Sequence, residues 1–380
     1  MDLVLSEDQE LIAKTTADFV KRKSPIARVR ELRDTNDPVG FSRALWNEMA
    51  ELGWVGIAFP ESVGGAGLGF AELAVVLEEL GRTLAPEPFL STVLLAGQAL
   101  LLAGDEAQAA AWLPRVCKGE AILALAHQEA RSRYDLSAVE TRAEQAGAGF
   151  RLTGEKIQVL DGHVADAIVV VARTAGGPGE AKGLTLFLVP KGAAGLTLTR
   201  QARVDGRNAA LVRLDGVSVG ADAVIGARDA GHELLTRVVD RATLGLSAEM
   251  LGGMQQAFAL TLEHLKHRMQ FGVPIGSFQA LKHRAANVFI ELELAKSAVM
   301  ASARAVDTDA PDFAKLVSLT KARCSDAYVL AANEGVQMFG GVGMTDEYDI
   351  GFYMKRARAA ELTFGDAAFH RARWATLSGY

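Results

Sequence analysis

Apolar residues recur at helical spacing over the first part of the chain. Ser6 and Gln9 form a capping-box pattern directly before the first of these apolar series. A second series covers residues 71–80 and ends at a glycine, and residues 94–113 have the spacing of a helical pair. These patterns predict an N-terminal α-helical domain over residues 1–118.

Short apolar runs replace the helical spacing in the middle of the chain, and glycines separate them. The clearest runs are residues 122–125, 167–171, 184–189 and 211–214. Short strands between glycine-rich turns predict a central β-domain over residues 119–225. Because no long helical pattern lies between the runs, a parallel Rossmann sheet is not expected.

Helical spacing returns after residue 226. Apolar residues from Phe278 to Val299 step by three and four, and neither Gly nor Pro occurs between Phe278 and Ala310, which predicts one long helix. Long helices with short connections favour an antiparallel bundle. The predicted class is therefore mainly α with a central β-barrel-like domain, and the C-terminal domain, 226–380, is a four-helix bundle.

Composition and charge narrow the choice of partners. The 380 residues are 49% hydrophobic and carry a net charge of −6, which disfavours nucleic acid as a main partner because phosphate binding needs a basic face. Cys117 and Cys324 lie far apart, so no disulfide framework is predicted and a reducing compartment fits.

Neither a signal peptide nor a membrane span is expected. The N-terminus is acidic and lacks the basic region of a signal peptide. The longest apolar run, 93–103, contains Gln98 and is short of the roughly 20 residues that a spanning helix needs. We therefore expect a cytoplasmic protein without membrane insertion.

Several common kinds of site have little support in the sequence. The glycines of 64–69 do not have the G-x-G-x-x-G spacing, which favours an ordinary turn before the next helix. His264 and His267 are three residues apart but lack the H-E-x-x-H form, so no metal site is predicted. The nucleophile-elbow motif G-x-S-x-G is not present.

Two segments have residue types suited to binding a phosphorylated, flat ligand. Residues 268–279 read RMQFGVPIGSFQ and place Arg268, a forked donor for phosphate, at a predicted helix end. Residues 337–347 read QMFGGVGMTDE, a glycine-rich turn where backbone can approach a ligand closely. Taken alone, each segment is also compatible with an ordinary loop between helices.

These two strings resemble motifs of the acyl-CoA dehydrogenases, and the resemblance extends over nearly the whole chain. The family's N-terminal glycine-rich turn corresponds to residues 60–65, its T-E-P segment to residues 126–129, and the start of its flavin-facing strand to residues 154–156.

The resemblance implies FAD as cofactor, an acyl-CoA thioester as substrate and an electron-transfer acceptor as partner. It also implies α,β-dehydrogenation, in which a carboxylate removes the α-proton while flavin N5 accepts the β-hydride. Hydrogen bonds to the thioester oxygen stabilise the enolate-like transition state.

In this family each flavin lies between two subunits, so a chain carries two half-sites. One half-site reaches into the cleft of the neighbouring subunit, and here it matches the family throughout. The residues that the resemblance assigns to the neighbour's FAD are Arg268, Gln270, Phe271, Gln279, Gln337, Gly340 and Gly341.

The half-site for the chain's own flavin departs from the family. Residues 133–135 read RYD instead of G-S-D, and residues 158–160 read QVL instead of W-I-T. Phe364 stands at the usual position of the catalytic Glu, and Asp366 replaces a Thr that holds the pyrophosphate, where a negative charge is repulsive. Ala242 stands at the alternative base position of the D-x-E-R pattern.

Three acids lie near the two base positions, and a structural or surface role is favoured for each. Asp240 is two helical positions from Ala242 and therefore roughly 200° around the helix. Asp366 is close in sequence but short and offset. Glu249 lies on the face of Ala242, roughly 10 Å along the axis. Asp366 and Glu249 remain the candidates.

Two interpretations follow from the one-sided departures. The chain is either one subunit of a heteromeric enzyme, similar to the second subunits of bacterial acyl-CoA dehydrogenases, or a self-sufficient homotetramer with a relocated base. A further alternative is a partner subunit with a purely structural role. The loss of contacts on one side favours the heteromeric subunit.

Overall fold

The computed structural model describes residues 4–380. The chain is helical up to Cys117, forms strands between Leu123 and Ile225, and is helical again from Gly231. The α-helices are α1 Glu7–Lys23, α2 Ile26–Asp34, α3 Arg43–Glu51, α4 Phe70–Arg82, α5 Gln98–Leu102, α6 Glu106–Cys117, α7 Gly231–His267, α8 Gln279–Asp307, α9 Phe313–Phe339, α10 Ile350–Leu362 and α11 Ala367–Leu377. The strands are β1 Leu123–Ala126, β2 Arg142–Ala146, β3 Gly149–Leu160, β4 Ala167–Arg173, β5 Leu184–Pro190, β6 Leu196–Ala202, β7 Asn208–Val219, β8 Val224–Ile225, β9 Met269–Gln270 and β10 Val273–Pro274.

The chain divides into two compact units. One contains the chain up to Asp34, with Gly69–Ala85 and Thr243–Tyr380; the other contains Thr35–Leu68 and Pro86–Ala242.

The unit that holds the β-domain is organised around an eight-stranded sheet. Its strand order is β6-β7-β3-β2-β4-β5-β8, and β1 pairs with β4 in parallel. β4 and β5 pair antiparallel, with Ala167 opposite Pro190, and are buried at nearly every position. Inside this core the rings of Phe150 and Phe187 meet edge to face, with centroids 5.1 Å apart. The predicted apolar runs are thus confirmed as strands, and most of the pairings are antiparallel.

The other unit is built from long helices. α8 covers the segment in which Gly and Pro are absent, as the sequence predicts, and packs along α9, which also contacts α10 and α11. α1 packs on α4, and its capping box at Ser6 and Gln9 is present. Asp307, at the end of α8, accepts hydrogen bonds from the amides of Phe70 and Ala71 and so caps the start of α4.

The predicted helical pair at residues 94–113 differs in detail. Residues Phe89–Gly97 form a π-helical segment that continues directly into α5, and a short connection precedes α6. Every residue of Phe89–Gly97 is buried, so its apolar positions lack the one-sided spacing from which a helix is recognised. Within residues 4–380, no helix is long and apolar enough to cross a membrane.

Candidate functional site

The segment after α7 forms a small exposed hairpin. β9 and β10 pair antiparallel, with Gln270 opposite Val273. Phe271, at the tip, has a left-handed φ of 53° and is 91% exposed. The amide of Ile275 donates to the carbonyl of Arg268 at 2.8 Å, and the ring of Phe278 meets Phe271 edge to face at 6.1 Å. The hairpin therefore has internal support although its aromatic tip is exposed.

The second predicted segment is an exposed glycine turn at the end of α9. Gly340 has φ 68° and ψ −148°, a conformation that only glycine adopts readily. A Cβ at Gly340 or Gly341 would meet no atom within 4 Å, so backbone here can be approached closely from outside. Gln337, one turn earlier on α9, is exposed beside it.

All seven residues assigned to the neighbour's FAD lie on the surface of one compact unit. These exposed residues are Arg268, Gln270, Phe271, Gln279, Gln337, Gly340 and Gly341. They offer a guanidinium, amide donors and acceptors, an aromatic face and open backbone, which suit a phosphorylated ligand with a flat ring. This half-site therefore fits FAD, provided that the flavin is held by another subunit.

The turn between α10 and α11 carries Phe364, the residue that the sequence resemblance predicts at the position of the catalytic Glu. Phe364 has a left-handed φ of 61°, an uncommon conformation for a bulky residue. Its carbonyl oxygen accepts a hydrogen bond from Nε2 of His370 at 3.1 Å. Burial lowers the pKa of His370 to about 3, so the ring is neutral at neutral pH. The turn is held firmly, yet its central side chain can neither accept nor donate a proton.

Lys321, which the sequence analysis did not single out, anchors the same turn from α9. Its Nζ donates to the carbonyl oxygens of Gly365 at 2.7 Å and Glu361 at 2.9 Å, and to Oγ of Ser325 at 3.2 Å. Burial lowers the pKa of Lys321 to about 7. Polar and charged residues, among them Thr320 and Arg323, lie beside it in sequence, so no local pattern marks this lysine as buried.

Asp366, the first candidate base, is the N-cap residue of α11. Its Oδ1 accepts a hydrogen bond from the amide of Phe369 at 2.9 Å. A carboxylate in this position satisfies an amide and the positive end of the helix dipole. Because a pyrophosphate would need that helix end for itself, this part of the chain does not fit the family's cofactor contact.

Glu249, the second candidate base, is paired. Its Oε1 lies 2.8 Å from Nε of Arg356, and both side chains are buried. The two residues lie on α7 and α10. Because they are 107 positions apart in sequence, no local pattern predicts the pair. The carboxylate therefore has a structural partner.

The alternative base position on α7 is apolar and enclosed. Ala242 is fully buried, and Asp240, two residues earlier, is also buried. Arg241, between them, donates to Oε1 of the buried Gln98 at 2.7 Å.

Residues 133–135 and 158–160 are the β-domain segments that the sequence resemblance predicts to face the chain's own flavin. Gln158 has a left-handed φ of 53° and lies at a register shift between β3 and β7, where Val159 is buried. Arg133, also left-handed, lies with its guanidinium 5.2 Å from the ring centroid of Tyr134. Neither segment offers the small hydroxyl and indole groups of the family.

A buried ion pair supports the same region, and the sequence analysis did not assign it. Nζ of Lys156 lies 2.6 Å from Oε1 of Glu129, which also accepts from Oγ1 and the amide of Thr141. Although burial opposes ionisation, Lys156 and these hydrogen bonds lower the pKa of Glu129, so the pair is charged. It fixes the segment before β2 against β3.

Comparisons with known proteins agree with the order of the elements. Family models match the N-terminal domain of acyl-CoA dehydrogenases at residues 6–120, the middle domain at 124–217 and the C-terminal domain at 229–376. The acyl-CoA dehydrogenase IpdE2 of Mycobacterium tuberculosis is 31% identical over 93% of this chain and 92% of its own length.

Two solved structures show the same fold. The butyryl-CoA dehydrogenase of Megasphaera elsdenii superposes with a TM-score of 0.92 at 25% identity, covering 100% of both chains. A chain of the ChsE4–ChsE5 complex of Mycobacterium tuberculosis gives a TM-score of 0.90 at 28% identity, covering 100% of this chain and 99% of its own. The predicted fold is confirmed, and the chain belongs to the acyl-CoA dehydrogenase family of flavin-dependent oxidoreductases that act on acyl-CoA.

Proposed function

We propose that this chain is the partner subunit of a heteromeric acyl-CoA dehydrogenase. It completes the FAD site of a homologous chain, whose own cleft carries out the α,β-dehydrogenation of an acyl-CoA thioester. The observation that carries the proposal is the contrast between the two half-sites. Seven family residues are retained and exposed in the half-site that reaches into the neighbouring subunit. In the chain's own half-site, Phe364 stands at one of the two base positions and Ala242 at the other.

The contacts of the two candidate bases support this assignment. General-base catalysis needs a carboxylate that can approach the substrate carbon and take up its proton. Glu249 is paired with buried Arg356, and Asp366 caps α11. A homotetramer that relies on either residue would have to break a structural contact first.

The outer face of α8 supports assembly with another subunit. Phe289, Ile290 and Leu294 lie on one side of this helix, and each is about half exposed. Phe271 at the tip of the hairpin and Phe278 at the start of α8 are exposed apolar residues as well. Apolar patches of this kind mark protein interfaces. The ChsE4–ChsE5 complex, which this chain resembles in fold, joins two different chains.

In this arrangement the chain contributes binding groups to the site. Arg268 supplies charge and donors for a phosphate, the glycine turn allows close approach of backbone, and Phe271 supplies an apolar contact. FAD, when bound, accepts the hydride from the substrate and passes electrons to an external acceptor. The proton is removed by a carboxylate of the partner chain.

The experiment compares the chain alone with the chain co-produced with a homologous partner. FAD content is measured by flavin absorbance on purified protein, and turnover with a panel of acyl-CoA substrates and an artificial electron acceptor. We expect almost no FAD and no turnover from the chain alone. The complex should contain roughly one FAD for each pair of chains, because in the proposed assembly only the partner's cleft in each pair holds a flavin.

The self-sufficient enzyme predicts a different result. About one FAD per chain, with turnover by the chain alone, would contradict the proposal. Loss of that turnover in Asp366→Asn, or in a Glu249→Gln chain that is still folded, would identify the base. A complex that forms but gains neither FAD nor activity would leave only a structural subunit.

A further inference from the structure

The two segments of the reaching half-site leave different helices, and an aromatic cluster joins these helices where the segments begin. The ring of His264, on the last turn of α7, stacks on Phe339, the last residue of α9, with centroids 4.1 Å apart and planes at 14°. Tyr348 meets both rings edge to face, at 6.2 Å from His264 and 5.5 Å from Phe339.

The cluster touches both binding segments through the backbone. The carbonyl of His264 accepts a hydrogen bond from the amide of Arg268 at 2.9 Å, so His264 lies one turn before the hairpin. Phe339 directly precedes Gly340, the first residue of the glycine turn. A shift of one ring against the other would therefore change the distance between Arg268 and Gly340.

Stacking, and not a hydrogen bond, holds the imidazole. Nε2 of His264 is buried and has no hydrogen-bond partner among residues 4–380. Burial and then the charge of Arg268 lower the pKa of His264, so the ring is neutral at neutral pH. A neutral six-membered ring should replace it with little loss.

The helices also approach closely one turn below the cluster. A Cβ on Gly335 of α9 would lie 3.0 Å from Oγ1 of Thr261 on α7 and 2.7 Å from Cδ1 of Ile350. Gly335 thus sets the spacing of the two helices, and the aromatic cluster is placed to set their register at the ends.

We propose that His264, Phe339 and Tyr348 are positioning residues that hold the hairpin and the glycine turn at the separation which FAD of the neighbouring subunit requires. The proposal rests on the proposed function for its biological role. The fixed register between the two segments is a property of this chain and can be tested without a partner subunit.

The test uses His264→Ala, with His264→Phe as the conservative variant and His267→Ala as the matched control. His267 is an exposed residue on the same turn of α7, and its ring contacts the exposed Glu263. Hydrogen exchange of residues 268–274 and 338–345 is measured on the full chain. FAD affinity is then measured in the complex with the partner.

We expect His264→Ala to speed exchange in both segments and to weaken FAD binding about 3- to 10-fold, as the loss of an aromatic pair implies. His264→Phe and His267→Ala should stay close to the wild type. Unchanged exchange in His264→Ala, or equal effects of His264→Ala and His264→Phe, would overturn the proposal. If the wild-type complex holds no FAD, the proposed function fails, while the exchange experiment still decides the role of the cluster.

Discussion

Glu249 and Arg356 form a buried ion pair. If either residue is replaced by a neutral one, the charge of the other stays buried without a partner. We expect Glu249→Gln to lower the free energy of unfolding by about 3 kcal/mol, since an uncompensated buried charge is strongly destabilising. Urea denaturation of the purified chain measures this. Glu263→Gln, an exposed ion-pair residue on the same helix, is the control and should change little.

The double variant Glu249→Leu with Arg356→Met sharpens this test. Removing both charges removes the desolvation cost, so it should recover most of the stability that Glu249→Gln loses. A Glu249→Gln chain as stable as the wild type would show that the carboxylate is not a structural partner of Arg356, and would reopen its assignment as a base.

Lys321 gives a pH dependence with a definite sign. Burial lowers its pKa from 10.5 to about 7, so between these values the unfolded chain binds a proton that the folded chain does not. Stability must then rise with pH across that window, by about 2 kcal/mol from pH 7 to pH 9. Lys321→Met should lose this rise, whereas Lys315→Met, on the same helix, should keep it. The check is urea unfolding at both pH values; parallel profiles for wild type and Lys321→Met would refute it.

Single residues were predictable from the sequence where a motif assigns them a place. The motifs assign Phe364, Ala242 and Asp366 to positions of the site, which stay predictions, and the structure adds that Asp366 caps a helix. Lys321 and Arg356 were not located, because their roles depend on contacts with residues 40 and 107 positions away. No spacing rule reports contacts at such distances.

At the level of elements, the exposed hairpin of β9 and β10 is the part of the chain most clearly shaped for another molecule. Arg268→Ala should lower FAD retention in the complex with the partner, because a charged donor to phosphate is lost. The measurement is flavin absorbance after gel filtration of matched samples, with Arg358→Ala as an exposed control on α10. Equal FAD content in the two variants would remove Arg268 from the half-site.

The elements themselves were predictable to different degrees. α8 followed from the absence of Gly and Pro, and β4 and β5 from unbroken apolar runs. α2 was missed because Val29 is its one buried residue, so it has almost no apolar face. β3 was only partly anticipated, because buried and exposed residues alternate along most of it and leave no continuous run.

For the whole molecule, the order of helical, stranded and helical parts followed from changes in apolar spacing, and this order is confirmed by the fold. We propose that the limits at residues 118 and 225 are domain boundaries as well. The division into a retained and a lost half-site stays a prediction, which rests on the motifs that identify both halves. The structural partners of the carboxylates could be identified only from the three-dimensional arrangement of α7, α10 and α11.

The exposure of Phe271, 91% at the tip of the hairpin, has a consequence for how the cell must produce this protein. A newly released chain presents this exposed aromatic on a narrow loop, in addition to the exposed apolar side chains of α8. Such a surface invites chaperones, proteases and self-aggregation. In the proposed heteromeric assembly, a partner subunit that covers the hairpin would shield Phe271, so balanced synthesis of the two subunits would protect this chain from degradation.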